Sequence, residues 1–165
     1  RKAYGNGVLV EEFLEGREFT VSVLGNAGVG KGVYTLPIVE QNFDIFPPGM
    51  RRLASYEAKW FFEDTIPDPR KAYHCPAPID KGLETLIREY CIKAYTVLGC
   101  RDIARIDVRC DKFGKPHLLE INTIPGMLPS NNVVSYYPVA ARAMGWDFNR
   151  MVGAIITHAR ERLGI

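Results

Sequence analysis

Two segments of alternating character, Ile103–Cys110 and 115–122, constrain the fold of this chain more than any other feature of its sequence. Alternation of polar and apolar residues predicts a β-strand with one buried face, because successive side chains of a strand point to opposite sides. Asp111 and Gly114 lie between the two segments, and both residue types are typical of tight turns. We therefore predict an antiparallel hairpin, in a chain that contains both strands and helices.

One face of the predicted hairpin carries charged and amide side chains. The residues on this face are Arg105, Asp107 and Arg109 in the first strand and Leu118, Glu120 and Asn122 in the second. If residues 112–115 close the hairpin, Asp107 lies opposite Glu120 at about 4.5–5.5 Å, and Arg105 lies opposite Asn122. Opposed carboxylates favour a bound cation, and an amide oxygen beside them completes an oxygen set suited to Mg²⁺. The alternative is a solvated outer face with an Arg–Asp pair.

The rest of the chain predicts an α+β fold with a mainly antiparallel sheet packed by helices. Phe19, Val21 and Val23 alternate with polar residues, which predicts a half-buried strand. The predicted strands outside the hairpin are 8–12, 17–24 and 34–40, with a glycine-rich turn at 25–32 and an irregular stretch at 43–74. The predicted helices are 80–98, which Gly99 ends, 138–144, and a terminal helix with Asp147 as its N-cap.

Composition and charge indicate an ordinary globular chain. Its 165 residues are about one domain, and the contents of 47% hydrophobic and 24% charged residues can form a core. The net charge is +2 and charges of both signs are interspersed, so neither nucleic acid nor a membrane surface is an expected partner. The sequence shows no signal peptide and no apolar stretch near the roughly 20 residues of a membrane span, so we expect a cytoplasmic location.

Two patterns that could indicate a ligand site do not do so here. The 4 cysteines have no CxxC spacing, and we expect buried thiols rather than disulfides or a zinc site. The segment 25–31, GNAGVGK, nearly matches a phosphate-binding loop, but Gly32 stands where that motif has Ser or Thr. It also lies between two predicted strands with no helix to follow, so we interpret it as a flexible turn.

The hairpin and two other segments resemble a known family. ARIDV followed by LLEINTIPGM resembles the metal-binding signature of the D-alanine–D-alanine ligases of the ATP-grasp superfamily. VEEFLEGREFTVSVLG resembles their adenine-binding segment, and YEAKW resembles the loop that closes over the phosphates. The similarity runs from about Val8 to the terminal helix. It implies that residues 1–165 form the C-terminal catalytic domain of an ATP-grasp ligase.

The resemblance implies a role for each matching residue. The adenine would meet Glu11, Glu12 and the backbone of Phe13 and Leu14, and the ribose hydroxyls would meet Glu18. Glu12 stands where many relatives have Lys. Lys59 would reach the γ-phosphate and the acceptor carboxylate. Two Mg²⁺ or Mn²⁺ ions would be held by Asp107, Glu120 and Asn122, and Arg105 and the N–H of Gly126 would stabilise an oxyanion.

The predicted acceptor site departs from the family pattern in two places. Trp60 stands where many of these ligases have Tyr, Phe or His, and it cannot repeat the hydrogen bonding of a phenol. Packing under the loop is the alternative role for this residue. The stretch 127–135 is longer than expected, so the serine that grips the acceptor carboxylate is Ser135 when aligned from the right and Ser130 when aligned from the left. Ser135 is the favoured choice.

The leading hypothesis is an ATP-dependent ligase that joins two D-alanines through an acyl phosphate, for peptidoglycan precursor synthesis. A close alternative is another ATP-grasp ligase whose acceptor is an amino acid or a hydroxy acid, and a third is a nucleotide-binding module without catalysis. The resemblance also implies an N-terminal domain with the first D-alanine site and the other half of the ATP clamp. We therefore expect little activity from residues 1–165 alone, and a homodimer is possible for the full-length protein.

Overall fold

The computed structural model describes residues 7, 9–55 and 65–165 of the chain. The strands are β1 (Glu18–Asn26), β2 (Val29–Thr35), β3 (Val39–Gln41), β4 (Tyr73–His74), β5 (Ile103–Cys110) and β6 (Pro116–Asn122). The α-helices are α1 (Lys81–Val97), α2 (Tyr136–Ala143) and α3 (Phe148–Leu163). The strands form an antiparallel sheet in the order β4-β3-β1-β5-β6, with β2 paired to the far end of β1. The predicted α+β class with a mainly antiparallel sheet is confirmed.

Strands β1 and β5 form the centre of the sheet. The alternating residues Phe19, Val21 and Val23 are fully buried in a cluster that includes residues of α1. A second cluster forms where α2 and α3 pack on apolar residues at β3 and just before it. Because all three helices contact β1, its polar face is covered too, and Ser22 is fully buried. The strand predicted to be half-buried is therefore buried on both faces.

Two predicted strands are wrong in their extent. Leu9 and Val10 are 80% and 86% exposed, and residues 9–17 lie outside any strand, so the apolar run there does not mark a buried strand. The predicted strand 34–40 is two strands, because β2 ends at Thr35 and β3 begins at Val39. Pro37 lies between them, and a proline has no N–H with which to continue the ladder.

The glycine-rich segment is a tight hairpin between β1 and β2, with its turn at Ala27 and Gly28. Its interpretation as a turn rather than a phosphate-binding loop is therefore confirmed. A register shift separates Leu24 from Asn26, and Gly25 between them has a φ of +108°. A Cβ atom at Gly25 would lie 2.0 Å from the carbonyl oxygen of Gly32, so this position requires glycine both for its backbone angle and for the close approach of β2.

The helix boundaries follow the predicted capping residues. The carboxylate of Asp80 accepts from the N–H of Leu83 over 3.0 Å at the start of α1, and Gly99 ends this helix with a φ of +67°. Asp147 caps α3 by accepting from the N–H of Arg150 over 2.7 Å. Helix α2 begins two residues before the predicted boundary. Among the described residues, no helix has the length and apolar character needed to cross a bilayer.

The cysteines are all free thiols, as expected. Cys91 and Cys110 are buried, whereas Cys75 and Cys100 are partly exposed. Burial raises the pKa of the Cys91 thiol to about 12 and that of Cys75 to about 11. These thiols therefore stay protonated at neutral pH and act as small apolar side chains in the packing around the sheet.

Candidate functional site

The predicted hairpin of β5 and β6 has the predicted register at its polar end. Asp107 pairs with Glu120, and Arg105 pairs with Asn122. A β-bulge follows, so that Val108 pairs with Leu118 and not with Leu119. The prediction that Leu118 shares a face with Glu120 is therefore wrong. Instead, Leu119 and Glu120 together line the cavity beside the hairpin.

The polar end of the hairpin is a network centred on Arg105. Its guanidinium donates to both carboxylate oxygens of Asp107, over 3.0 and 2.8 Å, and lies 3.4 Å from an oxygen of Glu120. Asn122 donates to the same Glu120 oxygen over 2.7 Å, and the Thr20 hydroxyl donates to Asp107 over 3.1 Å. The two carboxylates differ in solvent exposure, because the Asp107 side chain is 11% exposed and that of Glu120 is 55% exposed. Arg105 thus balances the repulsion between two opposed carboxylates.

The donor set of this network fits a hard divalent cation. Asp107 and Glu120 supply carboxylate oxygens, and the amide oxygen of Asn122 lies on the same strand as Glu120. The described part of the chain contains no cluster of three or more His, Cys, Asp or Glu residues placed to hold a metal. Two carboxylates and one amide would leave positions of an octahedral Mg²⁺ open. Mg²⁺ suits such a site, because it usually keeps several waters and binds phosphate oxygens beside one or two carboxylates.

A cavity of about 340 Å³ lies next to this network. It is lined by residues from three separate parts of the chain: Glu11, Glu12, Phe13, Leu14, Glu18, Leu53, Ala54, Asp107, Arg109, Leu119 and Glu120. The fold therefore brings the predicted adenine and ribose positions into one cavity with two of the predicted metal ligands. Their roles stay predictions, but their proximity is a property of the structure.

The predicted ribose ligand, Glu18, is a buried and ion-paired residue. One of its oxygens accepts from the Arg109 guanidinium, and the N–H of Ala54 lies 3.5 Å from the same oxygen. Arg109 is only 2% exposed, and it also donates to the carbonyl oxygens of Leu14 and Arg52. The sequence placed Arg109 on the polar face of its strand but assigned it no role. No signal in the sequence near Arg109 distinguishes it from a solvated residue on the polar face of a strand.

The two candidate serines are in different environments. Ser135 is buried immediately before α2, where its hydroxyl donates to the carbonyl oxygen of Gly126 over 3.0 Å and accepts from the N–H of Leu128 over 3.1 Å. It therefore closes the loop that follows the metal motif. Ser130 is exposed and accepts from the N–H of Asn132 over 3.1 Å. The predicted residues Lys59 and Trp60 lie outside the described residues.

A second cavity, of about 410 Å³, contains a tight ion pair. Arg17 donates to both oxygens of Glu40 over 2.5 and 2.6 Å, and also to the carbonyl oxygen of Pro78 over 3.1 Å. The hydrogen bonds to Glu40 raise the pKa of Arg17 above its usual value. Because these charges satisfy each other, we do not assign this cavity a ligand.

Comparison with known sequences gives matches along nearly the whole chain. The family model described as D-ala D-ala ligase C-terminus matches residues 2–157. An uncharacterized protein of Sinorhizobium fredii is 35% identical over 161 residues, which are 96% of this chain and 43% of that protein. The D-alanine–D-alanine ligase of Bordetella petrii is 35% identical over 156 residues, which are 94% of this chain and 42% of that protein. The chain thus spans less than half the length of these relatives.

Solved structures show the same fold. The D-alanine–D-alanine ligase of Coxiella burnetii matches with a TM-score of 0.63 and 22% identity, over 92% of this chain and 34% of that one. The D-alanine–D-alanine ligase of Bacillus anthracis, complexed with ATP, matches with a TM-score of 0.60 and 21% identity, over 90% of this chain and 38% of that one. The predicted ATP-grasp C-terminal fold is confirmed by this likeness.

Proposed function

The chain belongs to the D-ala D-ala ligase C-terminus family, and from this membership we propose that it is the ATP- and metal-binding part of a ligase that joins two D-alanines. The reaction would cleave ATP to ADP and phosphate through an acyl phosphate and supply peptidoglycan precursors. The observation that carries the proposal is the opposed pair of Asp107 and Glu120 at the wall of a cavity that Glu11–Leu14 and Glu18 also line. Carboxylates at one end of a cavity that also has apolar lining residues match what a metal–nucleotide complex requires.

The nucleoside would occupy the part of the cavity that Phe13 and Leu14 line. A planar base suits such a wall, because the backbone there offers hydrogen-bonding groups and the side chains are apolar. Glu11 and Glu12 lie on the same segment and would approach the edge of the base. The carboxylate of Glu18 would accept from the ribose hydroxyls while Arg109 holds it from the protein side.

The triphosphate would extend toward Asp107 and Glu120. Bound Mg²⁺ or Mn²⁺, as two ions held by these residues and Asn122, would neutralise the phosphate oxygens during phosphoryl transfer. Arg105 pairs with Asp107 in this structure, and its planar set of N–H groups would donate to a developing oxyanion once a cation satisfies the carboxylate. The N–H of Gly126 would donate to the same oxyanion, and Lys59 would contact the γ-phosphate and the acceptor carboxylate.

The acceptor carboxylate would be held next to the loop that follows β6. Ser135 would have to exchange its bond to the Gly126 carbonyl for one to the substrate, whereas the exposed Ser130 would give up only a local turn contact. Trp60 would border the acceptor. We propose that residues 1–165 are one domain of this ligase and that other parts of the polypeptide supply the first D-alanine site, since the relatives are more than twice as long.

A second candidate function is a related ATP-grasp ligase with another acceptor, such as D-serine or D-lactate. Trp60 and the long stretch 127–135 favour it, because both depart from the family pattern at positions that the resemblance assigns to the acceptor side. The two functions predict different products from the same nucleotide chemistry.

Product analysis tests both functions. The full-length gene product is incubated with ATP, Mg²⁺ and D-alanine, D-serine or D-lactate, and the products are identified by mass spectrometry alongside phosphate release. D-Alanyl-D-alanine supports the leading function, and a mixed product without it supports the second. Asp107→Ala and Glu120→Ala serve as controls, since ATP binding that is insensitive to Mg²⁺ and to both variants would point to a binding module without catalysis.

A further inference from the structure

The cavity that we propose to bind the nucleotide has a buried arginine in its wall, Arg109. The role of this arginine goes beyond the family assignment. We propose that Arg109 is a positioning residue that fixes the Glu18 carboxylate and the Phe13–Leu14 backbone in the geometry that binds the nucleoside. The inference rests on the proposed function, because it assumes that the cavity takes a nucleotide. It adds a residue that sets nucleotide affinity without touching the phosphates.

Arg109 joins three separate parts of the cavity wall. Its Nη1 donates to Glu18 on β1, its Nε donates to the carbonyl oxygen of Leu14, and its Nη2 donates to the carbonyl oxygen of Arg52. Arg52 is followed directly by Leu53 and Ala54, which line the cavity. A single side chain thus contacts residues that are 57, 91 and 95 positions away from it in the sequence, namely Arg52, Glu18 and Leu14.

The guanidinium of Arg109 lies over two aromatic rings. Its central carbon lies 5.0 Å from the centroid of the Phe13 ring and 5.6 Å from that of Phe43. Arginine is suited to this environment, because it is planar, weakly hydrated and able to donate in several directions while it stacks on rings. Lysine keeps the charge but cannot reproduce the fork of donors. A lysine at position 109 would therefore satisfy Glu18 or a carbonyl oxygen, but not all three acceptors.

The pairing also fixes the orientation of Glu18. The guanidinium of Arg109 donates to one oxygen of the carboxylate, and the N–H of Ala54 lies 3.5 Å from the same oxygen. The residue proposed to meet the ribose hydroxyls therefore depends on Arg109, and the two side chains act as a unit.

The chain offers a matched control in Arg17. It also forms a close ion pair with a glutamate, Glu40, and donates to the backbone carbonyl of Pro78, so these hydrogen bonds go to acceptors other than those of Arg109. Arg17→Lys therefore tests the loss of an equivalent bidentate ion pair elsewhere in the protein. Folding of each variant is checked by circular dichroism and thermal unfolding.

The decisive experiment measures binding of Mg²⁺–ATP and of Mg²⁺–tripolyphosphate to the wild type, Arg109→Lys and Arg17→Lys by calorimetry. We expect Arg109→Lys to weaken ATP binding about tenfold, which corresponds to the free energy of one charge-assisted hydrogen bond. Binding of tripolyphosphate should be unchanged. Arg17→Lys should change neither. Glu18→Gln should weaken ATP binding in the wild type but add little in the Arg109→Lys background, because residues that act as a unit are not additive.

The outcomes separate this inference from the proposed function. All variants are made in the full-length gene product, and if its wild type binds no ATP, the proposed function fails. If the wild type binds ATP and Arg109→Lys binds it within twofold while unfolding at lower temperature, Arg109 is only structural and the inference is overturned. Should Arg109→Lys not fold, Phe43→Leu replaces it, since this variant removes one ring contact and keeps the ion pair. An unchanged ATP affinity in that variant would equally overturn the inference.

Discussion

The hydroxyl of Thr20 donates to the Asp107 carboxylate over 3.1 Å, across the pairing of β1 with β5. This bond and the bidentate contact with Arg105 fix the carboxylate from two directions. Residues that orient a metal ligand commonly change metal affinity by 10-fold to 100-fold when they are removed, as a rough guide. The sheet thus supplies a supporting residue for the predicted cation site from a strand that carries none of its ligands.

Thr20→Val should raise the Mg²⁺ concentration needed for ATP binding by about tenfold, because it removes the donor and keeps the shape of the side chain. Thr20→Ser retains the hydroxyl and should behave as the wild type. The measurement is a Mg²⁺ titration of ATP binding by calorimetry at fixed ATP. Equal Mg²⁺ dependence in the wild type and Thr20→Val would show that the bond does not support a cation site.

Asp107→Asn and Glu120→Gln should both weaken Mg²⁺-dependent ATP binding, but they should differ in their effect on the unfolding free energy. Asp107 is buried and neutralises Arg105, so its replacement leaves that cation without its main partner and should cost about 1–3 kcal/mol of unfolding free energy. The Glu120 side chain is 55% exposed, and Glu120→Gln should change stability by no more than about 0.5 kcal/mol. Urea unfolding without Mg²⁺ measures both. Similar losses in the two variants would contradict the asymmetry seen in the network.

Ser135→Ala should destabilise the protein by about 1–2 kcal/mol, because it removes a buried hydroxyl that bonds to both Gly126 and Leu128. Ser130→Ala, at an exposed position, should be near neutral in stability. Thermal unfolding gives these values, and the KM for the acceptor amino acid shows which serine contacts substrate. A raised KM in Ser130→Ala with a normal KM in a folded Ser135→Ala would assign the acceptor contact to Ser130.

Asp102 should make stability depend on pH in the acid range. Hydrogen bonds from Arg162, over 3.0 and 2.8 Å, and from Asn26, over 2.9 Å, hold its pKa below the usual value. A carboxyl whose pKa is lowered by folding stabilises the protein fully above its unfolded pKa of about 3.9, and this stabilisation is lost as the pH falls through the folded pKa.

Asp102→Asn isolates the charge, because asparagine tolerates the φ of +62° found at this position. The unfolding free energy of the variant should be lower than that of the wild type by about 1–2 kcal/mol at pH 7, and this difference should narrow below about pH 4. Urea unfolding across this pH range tests the claim. A gap that stays constant with pH would mean that the charge of Asp102 makes no contribution.

The sequence predicted the hairpin register, the end of α1 at Gly99 and the Asp147 cap of α3 because these features are local. Asp147 caps its helix through a residue three positions away, and the turn between β5 and β6 is short. The bulge at Leu119 was not predictable in the same way, since it depends on how two strands accommodate each other and not on either pattern alone. One residue of slip is enough to move Leu118 off the face that was predicted for it.

The role of Arg109 shows where residue patterns are insufficient. A charged residue on a strand is usually solvated, and nothing near it in sequence distinguishes that case from a buried ion pair. Its partner, Glu18, is 91 residues away and was predicted to face a ligand. Only the pairing of β1 with β5 brings the two side chains together, so the dependence of one on the other is a tertiary property.

The place of β5 within the sheet has a consequence for how the candidate site exchanges with solvent. Strand β5 is bonded on both sides, by β1 and by β6, whereas β6 lies at the end of the described sheet. Amide hydrogens on β5 should therefore exchange for deuterium only in rare, nearly global openings, and those of β6 should exchange in smaller and more frequent ones. We therefore expect the strand that carries Asp107 to open less often than the strand that carries Glu120 and Asn122. A cation that bridges the two strands would slow exchange along β6.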